Sequence, residues 1–91
     1  MKYELAQNFP NPFNPSTKIN FSVPRNSFVS LKIYDILGKE IIKLVNNEFK
    51  SAGKYTVEFN ASNLSSGVYF YRIEVEGEKQ FVMTKRMVLI K

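Results

Sequence analysis

Three residue types are missing from this 91-residue chain: cysteine, histidine and tryptophan. Without cysteine there are no disulfides, no thiolate metal ligands and no thiol nucleophile. Without histidine there is no imidazole base, so neither Ser-His-Asp nor Cys-His machinery can be assembled. The redox compartment stays open, because a fold that uses no disulfide tolerates either one. Asp35 is the only aspartate, and no DxDxDG-like calcium loop exists. The four glycines fall in four separate turns, which excludes a Gly-rich phosphate loop. No apolar run reaches the roughly 18 residues of a membrane-spanning helix, and no stretch carries a helical period. The N-terminus, MKYELAQNFP, lacks the apolar core of a signal peptide, so an exported role requires the chain to be a piece of a longer one.

What is present is apolar content arranged for strands. Hydrophobic residues make up 44% of the chain, which fits a globular body, and the length suits one domain over 1–91. The net charge of +5 comes from 13 basic against 8 acidic residues. The lysines are scattered, and Lys85-Arg86 is the only adjacent basic pair. That spread predicts a solvated surface, with no nucleic-acid stripe.

The C-terminal stretch, Gly67 to Lys91, organises the rest. In Val68–Glu76, Tyr69, Tyr71, Ile73 and Val75 share one phase, and Arg72, Glu74 and Glu76 the other. Such period-2 alternation is the mark of a half-buried strand. Gly77-Glu78 predicts a two-residue II′ turn that sets Glu76 opposite Lys79. The returning arm, Gln80–Ile90, is partly apolar in both phases, as expected of a strand covered on both faces or of an edge that meets something else.

The same patterning recurs upstream. QNFPNPFNPST, residues 7–17, predicts a stiff proline-rich lead-in (1–16) anchored in the core by Phe9 and Phe13. Thr17–Val23 alternates with Ile19, Phe21 and Val23 inward, and Phe28–Tyr34 with Val29, Leu31 and Ile33 inward. Asp35 to Lys39 reads as a hairpin loop, Asp35 opening a type I turn and Gly38 supplying the left-handed position. Glu40–Val45 returns. Asn46 to Gly53 is expected to be irregular around Phe49, Lys54–Asn60 is a strand, and Ala61–Ser66 a polar loop plugged by Leu64. About seven short strands with frequent turn signals predict an all-β, immunoglobulin-like antiparallel sandwich of Greek-key type over 17–91, with a small Greek-key barrel as the alternative.

Candidate chemistry is sparse. Glu74 and Glu76 share a strand face, but an acid pair for glycoside cleavage needs a cleft, and two carboxylates beside a turn read as a solvated face. Tyr69, Phe70 and Tyr71 do not form one stacking platform, because alternation turns Phe70 to the opposite side. No catalytic residue, metal ligand or cofactor site is expected.

The ordered set of features resembles a known family. FPNPFNPST, then VSLKIYDILGKEI, then SAGKYTVEFNASNLSSGVYFYRIEVEG and a closing KRMVLIK are similar to the type A C-terminal sorting domain of type IX secretion cargo in Bacteroidetes-like bacteria. The resemblance runs from about Leu5 to Lys91 and rests on Pro10, Asn11 and Pro12, on Asp35 with Gly38, on Gly67 and Tyr69 followed by Ile73, and on Lys85-Arg86-Met87-Val88-Leu89. A related immunoglobulin-like module of flagellar hook-capping proteins shares the opening and the Tyr-rich strand. The resemblance implies a non-catalytic address label at the end of a cargo protein. Its partners would be outer-membrane type IX translocon components and a sortase-like protease. The cargo would cross the periplasm to the outer-membrane surface or the exterior. On this reading the last strand is the contact, through Lys85, Arg86, Met87, Val88, Leu89, Ile90 and Lys91, and the domain is a monomer or a weak edge-strand dimer. A structural assembly module and a carbohydrate-binding module remain as alternatives, the latter requiring a row of exposed aromatics among which only Tyr3, Tyr34 and Phe70 qualify.

Overall fold

A computed structural model describes every residue from Met1 to Lys91. The chain forms seven strands and no helix: β1 (Glu4–Leu5), β2 (Ser16–Val23), β3 (Ser27–Tyr34), β4 (Glu40–Lys50), β5 (Gly53–Asn60), β6 (Gly67–Glu76) and β7 (Phe81–Leu89). They pair antiparallel in two sheets, ordered β1-β2-β5 and β4-β3-β6-β7. The connections β2 to β3, β4 to β5 and β5 to β6 pass from one sheet to the other. This is the immunoglobulin-type sandwich, with a fourth strand on the second sheet. Two separate sheets exclude the small barrel.

Alternation explains which side chains meet. Ile19, Phe21 and Val23 of β2, Val29, Leu31 and Ile33 of β3, and Tyr71, Ile73 and Val75 of β6 are all buried in one cluster. Each such aliphatic side chain contributes about 1.5–3 kcal/mol by leaving water. Tyr69 also donates its hydroxyl to the Ser65 carbonyl at 2.6 Å. That bond, back to a residue just upstream, is the corner lock of this sandwich class.

The Asp35 loop follows its chemistry. Asp35 Oδ1 accepts the Leu37 and Lys39 amides, each at 2.9 Å, and Gly38 sits at φ 85°. Gly67 opens β6 at φ 154°.

Several expectations need correction. Asn46–Phe49 is not a break between strands, because β4 runs on to Lys50, with a bulge at Asn46-Asn47 where the register against β3 shifts. The strain is absorbed at one residue: Asn47 takes φ 48°, which Asn tolerates better than most, while its amide donates to Ser30 Oγ at 3.0 Å. Phe49 anchors nothing and is 58% exposed, packed edge-on against Phe28. β1 went unforeseen because two residues carry no period. Phe9 is not a core anchor: it is 78% exposed, while its neighbour Asn8 is 2% exposed. Consecutive residues of an extended segment point oppositely, and here the amide side chain has hydrogen-bond partners inside.

The C-terminal turn is also corrected. Val75 pairs with Phe81 and Tyr69 with Met87, so odd residues face odd residues. A two-residue turn pairing Glu76 with Lys79 would be one residue out of register. It would bring Arg86 and Val88 to the core positions that Met87 and Leu89 occupy, and burial forbids that slip. Gly77 is not at positive φ; it is needed for close approach, since a Cβ there would lie 3.2 Å from Ser27 Oγ and 3.4 Å from the Asn26 carbonyl. Glu78 pairs with Arg25 at 2.5 Å, and Glu76 makes no ion pair with Lys79.

Candidate functional site

β7 is an edge strand of the four-stranded sheet. Its inward phase is Phe81, Met83, Lys85, Met87 and Leu89; its outward phase is Val82, Thr84, Arg86, Val88 and Ile90. Met87 and Leu89 are 0% and 1% exposed. As contact residues for a partner they are therefore ruled out in the folded state, because both fill the core. Lys85 and Val88 are half-buried, and Arg86, Ile90 and Lys91 are exposed. Ile73 lies in the core beneath them.

The free edge of β7 is divided. Val88 donates its amide to Asn11 Oδ1 at 2.9 Å and accepts the Phe13 amide at 3.0 Å. Ile90 donates to the Phe13 carbonyl at 3.0 Å, and Gln7 Nε2 donates to the Arg86 carbonyl at 2.7 Å. The lead-in segment thus covers the rim from the Arg86 carbonyl onward. Backbone groups alternate in direction along a strand, so the amides and carbonyls of Val82 and Thr84, with the Arg86 amide, also point outward. Nothing covers these.

The covering segment, residues 7–13, is a strap bonded to both sheets. Phe9 exchanges two hydrogen bonds with Lys18 of β2, at 2.9 and 3.0 Å. Phe13 is buried against Phe59, ring centroids 6.1 Å apart. Asn8 ties the middle down. Its amide donates to Tyr71 Oη at 2.9 Å, and Nδ2 donates to Thr17 Oγ1 at 3.1 Å and to the Pro10 carbonyl at 3.2 Å. Tyr71 in turn donates to the Ala6 carbonyl at 2.7 Å. Burial pushes the Tyr71 hydroxyl up to about 12, against a smaller opposing pull from the Asn8 amide. Pro10, Asn11 and Pro12 lie exposed along the strap.

Charge is distributed unevenly around this edge. No acidic residue occurs between Glu4 and Asp35, and none follows Glu78. The strap therefore carries no charged side chain, and β7 with its flanks carries only cationic ones: Lys85 and Arg86 on the strand, Lys79 and Lys91 beside it, none of them in an ion pair. Lys91 Nζ instead donates to the Ser62 carbonyl at 2.6 Å. The ion pairs cluster on the outer face further in, where Lys32 meets Glu74 at 3.0 Å and Arg72 meets Glu74 at 2.7 Å. Burial alone would raise the Glu74 carboxyl, but the Lys32 hydrogen bond and the Arg72 charge bring it below the usual range. The Glu74 hydrogen bond raises Lys32 correspondingly.

Other surfaces offer less. Tyr34 and Phe70 are register partners on the outer face, but the Arg72 guanidinium lies over the Tyr34 ring at 4.7 Å and bonds its hydroxyl, which removes that ring as a sugar platform. Tyr3 stacks on Phe81 at 5.2 Å. A shallow hollow of about 380 Å³ on the three-stranded sheet is lined by Glu4, Asn20, Ser22 and Lys54. Its Ser22 hydroxyl is committed to the Lys2 carbonyl. No three His, Cys, Asp or Glu side chains converge, and no helix is long and apolar enough to cross a membrane.

Reading hydrophobicity alone missed Gln7, Asn8 and Thr17, whose roles are hydrogen bonds across the chain. It also missed the open rim at Val82 and Thr84. The acid-free stretches were legible as a signal and point to the same edge.

Comparison with known proteins agrees with this architecture. The crystal structure of CopC from Methylosinus trichosporium OB3b superposes with a TM-score of 0.54 over 97% of this chain and 91% of that one, at 14% identity, a likeness of fold alone. No curated protein matches the chain in sequence. A family model described as the secretion system C-terminal sorting domain matches residues 7–90.

Proposed function

The chain belongs to the secretion system C-terminal sorting domain family, the type IX sorting signals, and from that membership we propose that it is a non-catalytic address label read as a folded body. In this reading it follows a larger cargo protein, crosses the periplasm with it, and directs it through outer-membrane translocon components to the surface or exterior. A sortase-like protease then removes it. The observation that carries the reading is the family match across nearly the whole chain. The acid-free edge formed by β7, open from Val82 to the Arg86 amide, supports its location, since a rigid sandwich displays such an edge in a constant geometry. The contact residues are the accessible ones: Lys85, Arg86, Val88, Ile90 and Lys91.

The test is a fluorescent reporter fused ahead of this chain in a type IX-competent host. Lys85→Glu with Arg86→Glu is expected to abolish surface delivery while circular dichroism and melting stay as in the parent. Removal of Thr84–Lys91 is expected to do the same, with loss of folding. Normal delivery of either fusion refutes the assignment of this strand as the address.

A further inference from the structure

The uncovered part of the β7 rim has a definite chemistry. Its outward groups are the amides and carbonyls of Val82 and Thr84 and the Arg86 amide, an unpaired ladder in line with the part that the strap already occupies. Residues 11–13 show that this edge accepts an extended segment, since Phe13 forms a parallel bridge to Leu89. Beyond the Arg86 carbonyl the strap departs and the ladder is left open. The flanking side chains sort by position. Val82 is 61% and Met83 36% exposed, and they are followed by Lys85 on the inner side and Arg86 on the outer side, with no carboxylate on β7 or the strap to neutralise them.

The other edges differ. β4 is irregular, with register shifts at three places against β3 and the left-handed Asn47, which blunts strand addition. The free edge of β5 is regular but carries both Lys54 and Glu58, so it favours neither sign of charge.

We infer that the open rim of β7, from Val82 to the Arg86 amide, binds an acidic extended peptide segment by strand addition, making it a fifth strand of the sheet. Main-chain bonds to Val82 and Thr84 supply the hold, and alternate pockets the selectivity. The incoming segment sets apolar side chains beside Val82 and Met83 and carboxylates beside Lys85 and Arg86, where opposite charges across strands are favourable. This rests on the reading of β7 as the address and names the chemistry of the reader.

The probes are two synthetic peptides, one alternating glutamate with valine and one alternating lysine with valine, titrated into the isotope-labelled chain. The glutamate peptide is expected to slow amide exchange at Val82 and Thr84 by about tenfold or more, to weaken as salt is raised, and to leave the β5 edge untouched. Thr84→Pro is the decisive variant. Its amide points away from β6, so proline spares the existing ladder and removes only the outward donor. It should fold normally and lose the protection. Equal protection by the lysine peptide, protection at β5, undiminished binding by Thr84→Pro, or no protection at saturating peptide would each overturn the inference. Peptide binding decides strand addition and reporter delivery decides the address reading, so the two fail separately.

Discussion

Tyr71→Phe removes a single oxygen at the point where the strap meets the core. The ring stays, so no cavity opens, and the loss is confined to hydrogen bonds. Tyr71 Oη accepts the Asn8 amide at 2.9 Å and donates to the Ala6 carbonyl at 2.7 Å. Asn8 is buried, so its amide loses its only partner. Leaving such a donor unsatisfied costs about 1–3 kcal/mol. In a chain of this size each kcal/mol lowers the melting temperature by about 4–8 °C. A second consequence separates this mechanism from general loosening. The folded Tyr71 hydroxyl titrates at about 12, above the ordinary 10.0. Its contribution is complete below pH 10.0 and is lost as pH rises toward 12, because the unfolded chain releases that proton first. The slope is about 1.4 kcal/mol per pH unit. Denaturant unfolding followed by circular dichroism across that window should show the parent losing stability more steeply than Tyr71→Phe. The Lys32 ammonium, also raised by Glu74, titrates identically in both proteins and cancels. The amides of Val88 and Ile90, held by the strap, should exchange faster in the variant. A melting temperature within about 1 °C of the parent, with parallel alkaline profiles, would show that the hydroxyl does not hold the strap.

Three further outcomes are expected. Gly67→Ala should destabilise by about 1 kcal/mol or more through backbone conformation alone, since φ is 154° and nothing lies within 4 Å of the added Cβ; an unshifted melt would count against a strained backbone at the start of β6. Phe13→Ala should cost about 3–5 kcal/mol while Phe9→Ser stays within about 0.5 kcal/mol, and equal effects in chemical denaturation would contradict the opposite burial of the two rings. Glu74 is held below its ordinary 4.5, so the stability it adds is present above that pH and lost as pH falls. Glu74→Gln should therefore flatten the acid limb of the stability profile, and an unchanged limb would mean that Lys32 and Arg72 do not stabilise the carboxylate.

Alternation along the chain settled which residues share a face. Ile19, Phe21 and Val23, or Tyr71, Ile73 and Val75, had to point the same way whatever the sheet order, because side-chain direction in a strand is a local property. The Asp35–Gly38 loop was equally local, and so was the absence of acids from the strap and from β7. The ordered motifs carried the family. What remained undecided were choices between distant parts of the chain. The seating of the Asn8 backbone amide depended on Tyr71, 63 residues away, and the covering of the Arg86 carbonyl depended on Gln7, 79 residues away. The register of the last hairpin was set by burial of Met87 and Leu89 against the other sheet, and a turn motif read by itself led to the wrong partner. Hydrogen bonding and burial between segments far apart in sequence have no local period to announce them, so only the assembled sandwich determined which half of the terminal edge is closed and which half is free.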